Sequence, residues 1–194
     1  MGGALPADLQ TLDDALGAVE GDARALVAGL TEERGAWRAA ADSWSVAECL
    51  DHLGTANRVY LDAMQPFAAR ARTDGRQRRG PARPGLIGGW FVNYLEPPVK
   101  ARLKSKAPRR IRPRKAPALS EAFVAFLASH DDVRAFLRAH ADIDLTGVRF
   151  PNPFIPVVRF SLATGLYVIA AHERRHLWQG WRVRQAAERS ATTS

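Results

Sequence analysis

The chain has 194 residues, 46% of them hydrophobic and 25% charged, a composition typical of a soluble globular protein with one substantial core. Its single cysteine, Cys49, excludes an internal disulfide, and no apolar stretch approaches the roughly 20 residues that a membrane-spanning helix needs. We therefore expect one domain, residues 1–194, that is cytoplasmic and has no membrane span.

The first predicted helix runs from Leu5 to Leu30, where apolar residues recur at intervals of three and four residues. Glycines mark its exit. The following segment, Thr31 to Ser43, is predicted to be a connector between the first two helices.

The second predicted helix begins at a capping box, in which Ser45 accepts a hydrogen bond from a free backbone N–H and Glu48 reaches back to the cap. We expect it to run to about Met64, since Pro66 removes a hydrogen bond and clashes with the preceding turn. His52 lies two turns into this helix, at or beside its apolar stripe. Glu48 precedes His52 by four residues on the same face, so it is also a predicted hydrogen-bond partner of His52.

A basic, proline-rich crossover is predicted at residues 70–118, between the second and third helices. From Arg70 to Lys115 it holds 15 of the 28 lysines and arginines against two acids, a local charge of +13. The overall positive charge of the chain therefore belongs to this segment. Within it, Leu86 to Leu95 is predicted to form a short helix that packs on the bundle.

Two more long helices are predicted after the crossover. Helix three is expected from its cap, Ser120, to about His140. A loop with the turn FPNPF follows, because prolines and asparagine prevent the helix from continuing. Helix four is expected to start at about residue 158 or 159 and to run to Ala187, with a frayed tail at residues 190–194.

Helix four carries His172 and His176, and this spacing places both imidazoles on one helix face. Two neutral imidazoles that close can share one divalent cation. The same five residues also match H-E-x-x-H, in which Glu173 would be the general base of a metallopeptidase. That alternative lacks a downstream third ligand, since no histidine follows His176 and Glu188 lies on the same predicted helix. His52 is therefore the better third ligand.

Several stretches together carry a resemblance to a known family. They are GLTEE and AWR after helix one, WSVAECLDHL at the start of helix two, LEPP in the crossover, FPNPF before helix four, and HERRHLWQ within it. The chain thereby resembles the DinB-like superfamily of metalloenzymes over nearly its whole length. The resemblance implies an all-α, four-helix-bundle fold, with His52, His172 and His176 as ligands of a divalent metal ion such as zinc, nickel or iron.

The resemblance also implies hydrolase-like chemistry or transfer of a low-molecular-weight thiol such as mycothiol or bacillithiol. The expected partners are thus the metal ion and a small-molecule thiol or an anionic substrate. Glu173 is expected to have a structural role, Cys49 to be a small buried residue, and His130 and His140 to have no part in metal binding.

A second hypothesis is a non-catalytic, stress-related binding module that uses the basic crossover or a homodimer face. Such a crossover can bind the phosphates of nucleic acid, an anionic lipid or an acidic small molecule. Nucleic acid is disfavoured because the sequence has no recognised nucleic-acid-binding signature. The metalloenzyme hypothesis is preferred, and the peptidase ranks last.

Overall fold

Four long helices dominate the structure, a computed structural model that describes residues 4–98, 107–155 and 157–192. Short helices and one antiparallel hairpin connect them. The elements in chain order are α1 (Ala7–Val27), α2 (Glu32–Ala36), α3 (Val46–Thr73), α4 (Leu86–Leu95), a 3-10 turn (Arg109–Ile111), α5 (Leu119–Ala139), β1 (Arg149–Pro151), β2 (Arg159–Ser161) and α6 (Leu162–Thr192).

The predicted all-α bundle is confirmed. Helix α3 lies against both α5 and α6, and α1 lies against the same two helices. The apolar residues of each long helix recur at three- and four-residue intervals, so each helix turns one stripe inward. On α1 the buried stripe consists of Leu9, Leu12, Leu16, Val19, Ala23 and Leu26.

Helix α3 begins as predicted. The Ser45 hydroxyl accepts a hydrogen bond from the Glu48 backbone N–H at 3.2 Å, and the Glu48 carboxylate accepts one from the Ser45 N–H at 2.9 Å. The predicted end at Met64 is wrong, because α3 continues through Pro66 to Thr73. Met64, Ala68 and Ala71 are buried in the core on either side of the proline, and this packing offsets the lost backbone hydrogen bond.

The start of α5 also differs from the prediction. Ser120 is not the cap; the helix starts at Leu119, and neither its N-cap Ala118 nor Ser120 caps it with a side chain. The carboxylate of Glu32, on the short helix α2, instead accepts hydrogen bonds from the backbone N–H groups of Leu119 at 2.6 Å and Ser120 at 3.0 Å. Part of the predicted connector is therefore a helix that caps another helix.

A hairpin precedes α6 where the sequence predicted the start of helix four. Strands β1 and β2 pair antiparallel, with Phe150 opposite Phe160 and both rings buried. Helix α6 then begins at Leu162, where the Ser161 hydroxyl accepts a hydrogen bond from the Thr164 N–H at 3.0 Å, a cap that the prediction missed. It continues past the predicted end to Thr192, and residues 193–194 lie outside the described residues.

The predicted crossover, residues 70–118, overlaps the last four residues of α3 and includes α4, which forms where predicted and packs on α6. Residues 99–106 of the crossover lie outside the described part of the chain. Its second half returns to α3 through Asp51, whose carboxylate accepts hydrogen bonds from the Arg114 backbone N–H and side-chain Nε, each at 2.7 Å. Among the residues that the structure describes, no helix is long and apolar enough to cross a membrane.

Candidate metal centre

Three histidines from opposite ends of the sequence meet between α3 and α6. His52 lies on α3, and His172 and His176 lie one turn apart on α6. Their ring centroids are 4.5–4.9 Å apart, and one ring nitrogen of each lies within 4.8 Å of the others. In the part of the chain that the structure describes, no other three histidine, cysteine or acidic side chains are grouped in this way.

Hydrogen bonds determine which ring nitrogen of His52 and of His176 is free to bind a ligand. His52 Nδ1 lies 2.5 Å from the backbone carbonyl oxygen of Ile111, and His176 Nδ1 lies 3.0 Å from Oε1 of Gln179. Both oxygens only accept, so each Nδ1 is the protonated, donating nitrogen. The Nε2 lone pairs of His52 and His176 are therefore left for a ligand, the usual arrangement of metal-binding histidines.

The donor set fits a divalent cation. His52 Nε2 and His172 Nε2 are 3.1 Å apart. A tetrahedral ion with metal–nitrogen bonds of roughly 2.0–2.1 Å separates two ligand nitrogens by roughly 3.3 Å, so little movement is needed. Three imidazole ligands without a carboxylate are suitable for zinc, nickel or iron, and this donor set does not discriminate among the three metals. The cluster can thus bind a metal ion.

Burial keeps these histidines neutral. It lowers the pKa of His52 from 6.5 to about 4, outweighing the opposite effects of the Ile111 carbonyl and the Asp51 carboxylate. Burial also lowers the pKa of His172 and of His176 well below the usual value, and the positive charge of Arg175 adds to this effect. Near neutral pH each ring therefore has a free lone pair.

An aromatic ring and a cation border the cluster. The Trp44 ring stacks on His176 at a centroid distance of 5.5 Å and lies 4.8 Å from His52. Arg175 donates a hydrogen bond to the Tyr94 carbonyl at 3.3 Å, and its guanidinium lies over the Tyr94 ring. Helix α4 thereby holds a positive charge near the histidines.

Two residues one turn before His52 on α3, Glu48 and Cys49, are not part of the cluster. Glu48 does not serve as the partner of His52; its carboxylate binds the Ser45 N–H and the guanidinium of Arg38. The Ile111 carbonyl takes that place. Cys49 is fully buried, as expected, and burial raises the pKa of its thiol, which keeps it protonated.

Glu173 points into the core between three helices. Its side chain has no exposed surface, and Oε1 accepts hydrogen bonds from Asn57 Nδ2 on α3 at 2.8 Å and from His130 Nδ1 on α5 at 3.0 Å. Ser129 accepts a further hydrogen bond from Asn57 at 3.2 Å. The Glu173 carboxylate thus lies in the core among three helices, and this position argues against the general-base role that the peptidase alternative requires.

Comparison with known proteins gives one match. The family model of the DinB superfamily matches residues 15–179. No curated protein and no solved structure matches the chain. The matched range includes all three clustered histidines, the whole of α3, and α6 as far as residue 179. The chain belongs to the DinB superfamily.

Proposed function

We propose that this protein is a metal-dependent enzyme whose divalent cation is held by His52, His172 and His176. The observation that carries the proposal is the convergence of three neutral imidazoles, two of which are oriented by hydrogen bonds at Nδ1. Three protein ligands are the number typical of catalytic zinc sites, whereas structural sites usually have four. The ion is zinc, nickel or iron.

The chemistry is activation of a small nucleophile, which is water in a hydrolase or a low-molecular-weight thiol in a transferase. A divalent cation supplies Lewis acidity here, which polarises a substrate carbonyl or lowers the pKa of a water or thiol. The protein's own part is to hold the ligands: the Ile111 carbonyl and Gln179 keep two imidazoles in one tautomer and orientation. Trp44 shields the His52 and His176 rings.

Arg175 favours an anionic substrate. Its charge is close enough to lower the pKa of His172 and His176, so it acts on any ligand that these rings face. A carboxylate or thiolate would be attracted at that position, because a charge acts more strongly in a partly buried site than in water. A thiol or an acidic small molecule is therefore the substrate class we propose.

The test is metal content followed by activity. Protein purified without a polyhistidine tag is analysed for bound metals beside the variants His172→Ala and His52→Gln. We expect about one ion per chain in the wild type and a loss of binding in both variants. His140→Gln is the matched control, because His140 is also buried but bonds the Phe136 carbonyl outside the cluster. The loaded protein is then assayed for hydrolysis and for thiol transfer.

Two results would contradict the proposal. The first is unchanged metal content in a folded His172→Ala variant, which would place the metal elsewhere. The second is a wild-type protein that binds no zinc, nickel or iron even after reconstitution. If metal binds but Arg175→Gln leaves the KM of every active substrate unchanged, the substrate-class part of the proposal is wrong.

A further inference from the structure

Helix α4 displays an apolar face to solvent. Its sequence, LIGGWFVNYL, contains no charged residue. Leu86, Ile87 and Trp90 are 96%, 74% and 68% exposed, whereas Val92 and Leu95 on the opposite face are buried. The ring of Trp90 stacks on that of Tyr94, with centroids 5.9 Å apart, and Tyr94 is half-buried against the core. Large apolar side chains grouped in this way mark an interaction surface.

The inner face of α4 is tied to the bundle. Gly88 approaches Thr164 of α6 so closely that a Cβ on the glycine would lie 2.5 Å from the threonine methyl group. Beyond the C-terminal end of α4, Glu96 forms an ion pair with Arg174 of α6. Because these contacts fix the orientation of α4, its outer face cannot turn inward to bury its own apolar side chains.

Positive charge surrounds this face in the sequence. The crossover that contains α4 carries 15 lysines and arginines and two acids, and both acids are paired, Asp74 with Arg70 and Glu96 with Arg174. Arg79 and Arg83 lie just before α4 and are exposed. Other arginines of the crossover are used internally: Arg72, Arg78 and Arg114 form ion pairs with Asp142, Asp8 and Asp51.

Apolar side chains beside excess positive charge fit one kind of partner better than others. A second copy of the chain would bring the same positive segment against this one, and like charges oppose that contact. A membrane that contains anionic lipid offers negative headgroups for the arginines and an apolar layer for leucine, isoleucine and tryptophan. Both features of the surface are then matched by the same partner.

We propose that α4 is an interfacial membrane-binding helix. Leu86, Ile87 and Trp90 enter the boundary between headgroups and acyl chains, and Arg79 and Arg83 contact the lipid phosphates. Neither signal suffices alone, since stable attachment at an interface usually combines an apolar and a basic element. None of these five side chains belongs to the histidine cluster, so we expect membrane binding not to require the metal.

The test uses the full chain and sedimentation with vesicles. We expect it to bind phosphatidylcholine vesicles that contain phosphatidylglycerol, to bind pure phosphatidylcholine poorly, and to dissociate at high salt. The variant Leu86→Ser/Ile87→Ser/Trp90→Ser should bind at least about tenfold more weakly. The variant Arg79→Gln/Arg83→Gln should also bind about tenfold more weakly. Val124→Ser is the control, because Val124 is 66% exposed on α5 and should not affect binding.

Fluorescence quenching tests directly whether α4 enters the lipid bilayer. Vesicles with brominated acyl chains should quench part of the tryptophan fluorescence, and Trp90→Phe should abolish that quenching while binding is retained. Failure to bind phosphatidylglycerol vesicles at low salt overturns the proposal. So does equal binding by the triple serine variant. If the wild type instead dimerises in solution and the triple variant is monomeric without vesicle binding, the face is a homodimer interface and the proposal is wrong.

Discussion

Substitutions of Glu173 test how much the buried network around its carboxylate contributes to the stability of the bundle. The residue lies next to His172 in α6, yet its carboxylate joins α6 to α3 through Asn57 and to α5 through His130. Although burial lowers the pKa of His130, its hydrogen bond to Glu173 and the carboxylate charge raise that pKa overall. The pair is fully buried, so water cannot replace either partner.

We expect Glu173→Ala to lower the free energy of unfolding by about 4 kcal/mol. Removing one partner of a buried pair typically costs about 3–5 kcal/mol, because the groups that remain are desolvated and unpaired. Here the His130 Nδ1–H would lose its acceptor, and the Asn57 amide would lose one of its two. Glu173→Gln keeps an oxygen that can accept from both donors, so we expect a smaller loss of about 1–2 kcal/mol.

Urea denaturation of metal-free protein measures these changes. Asn57→Ala and the double variant Asn57→Ala/Glu173→Ala complete a cycle, and their coupling should be about 0.5–3 kcal/mol because the two side chains are in contact. A change of less than about 1 kcal/mol in Glu173→Ala would refute the network as a source of stability. Full stability and metal content with complete loss of activity in Glu173→Gln would instead restore the general-base role.

Three further predictions follow from local contacts. Gly88→Ala should lower the free energy of unfolding, measured with urea, by about 1–3 kcal/mol, since the new Cβ would overlap Thr164. Gly89→Ala, whose Cβ would have nothing within 4 Å, should leave stability unchanged or raise it by up to about 1 kcal/mol. Equal effects of the two variants would contradict the packing of α4 on α6. Gln179→Ala should weaken metal binding about tenfold in competition with a chelator, and an unchanged affinity would mean that Gln179 does not orient His176. In metal-free protein, His52 should lower the free energy of unfolding by about 3 kcal/mol as the pH falls from 6.5 to 4, because its imidazole is protonated in the unfolded state before it is protonated in the folded state. His52→Gln should remove this part of the pH dependence. Identical stability profiles for the variant and the wild type would refute the prediction.

The histidine cluster was predictable because each of its parts has a local signal. The capping box at Ser45 fixes the register of α3 and so places His52 on the inner side of that helix. The four-residue interval from His172 to His176 fixes their common face without any tertiary information. The resemblance to the family then joined two helices that the spacing alone could not join.

The partners of these residues were not predictable in the same way. The group that bonds His52 Nδ1 is a backbone carbonyl, which leaves no residue-type signal. Ile111 lies within the basic crossover, which the Asp51–Arg114 ion pair joins to α3. Glu173 illustrates the converse. Its position in H-E-x-x-H is that of a general base, but its carboxylate is bound in the core by Asn57 and His130, and the sequence gives no signal of those contacts.

The predicted helix ends were wrong where contacts between helices outweighed the local preference of the sequence. Pro66 is a strong local signal for the end of a helix, yet α3 continues because the residues on either side of it are buried. The cap of α5 comes from Glu32, 87 residues before Leu119, so no window around Ser120 contains it. Both errors concern the boundaries of helices, and neither changes the predicted positions of the three histidines on their helices.

The sequence separation of the histidines links metal binding to folding. His52 and His172 are 120 residues apart, so in the unfolded chain only the pair on α6 remains close enough to share an ion. A cation that needs all three rings therefore binds the folded state far better, and bound metal stabilises that state in proportion to the logarithm of its free concentration over its dissociation constant. Removing one ligand from α3 should abolish that stabilisation as completely as removing one from α6. A four-residue histidine pair that bound the ion alone would respond only to changes on α6.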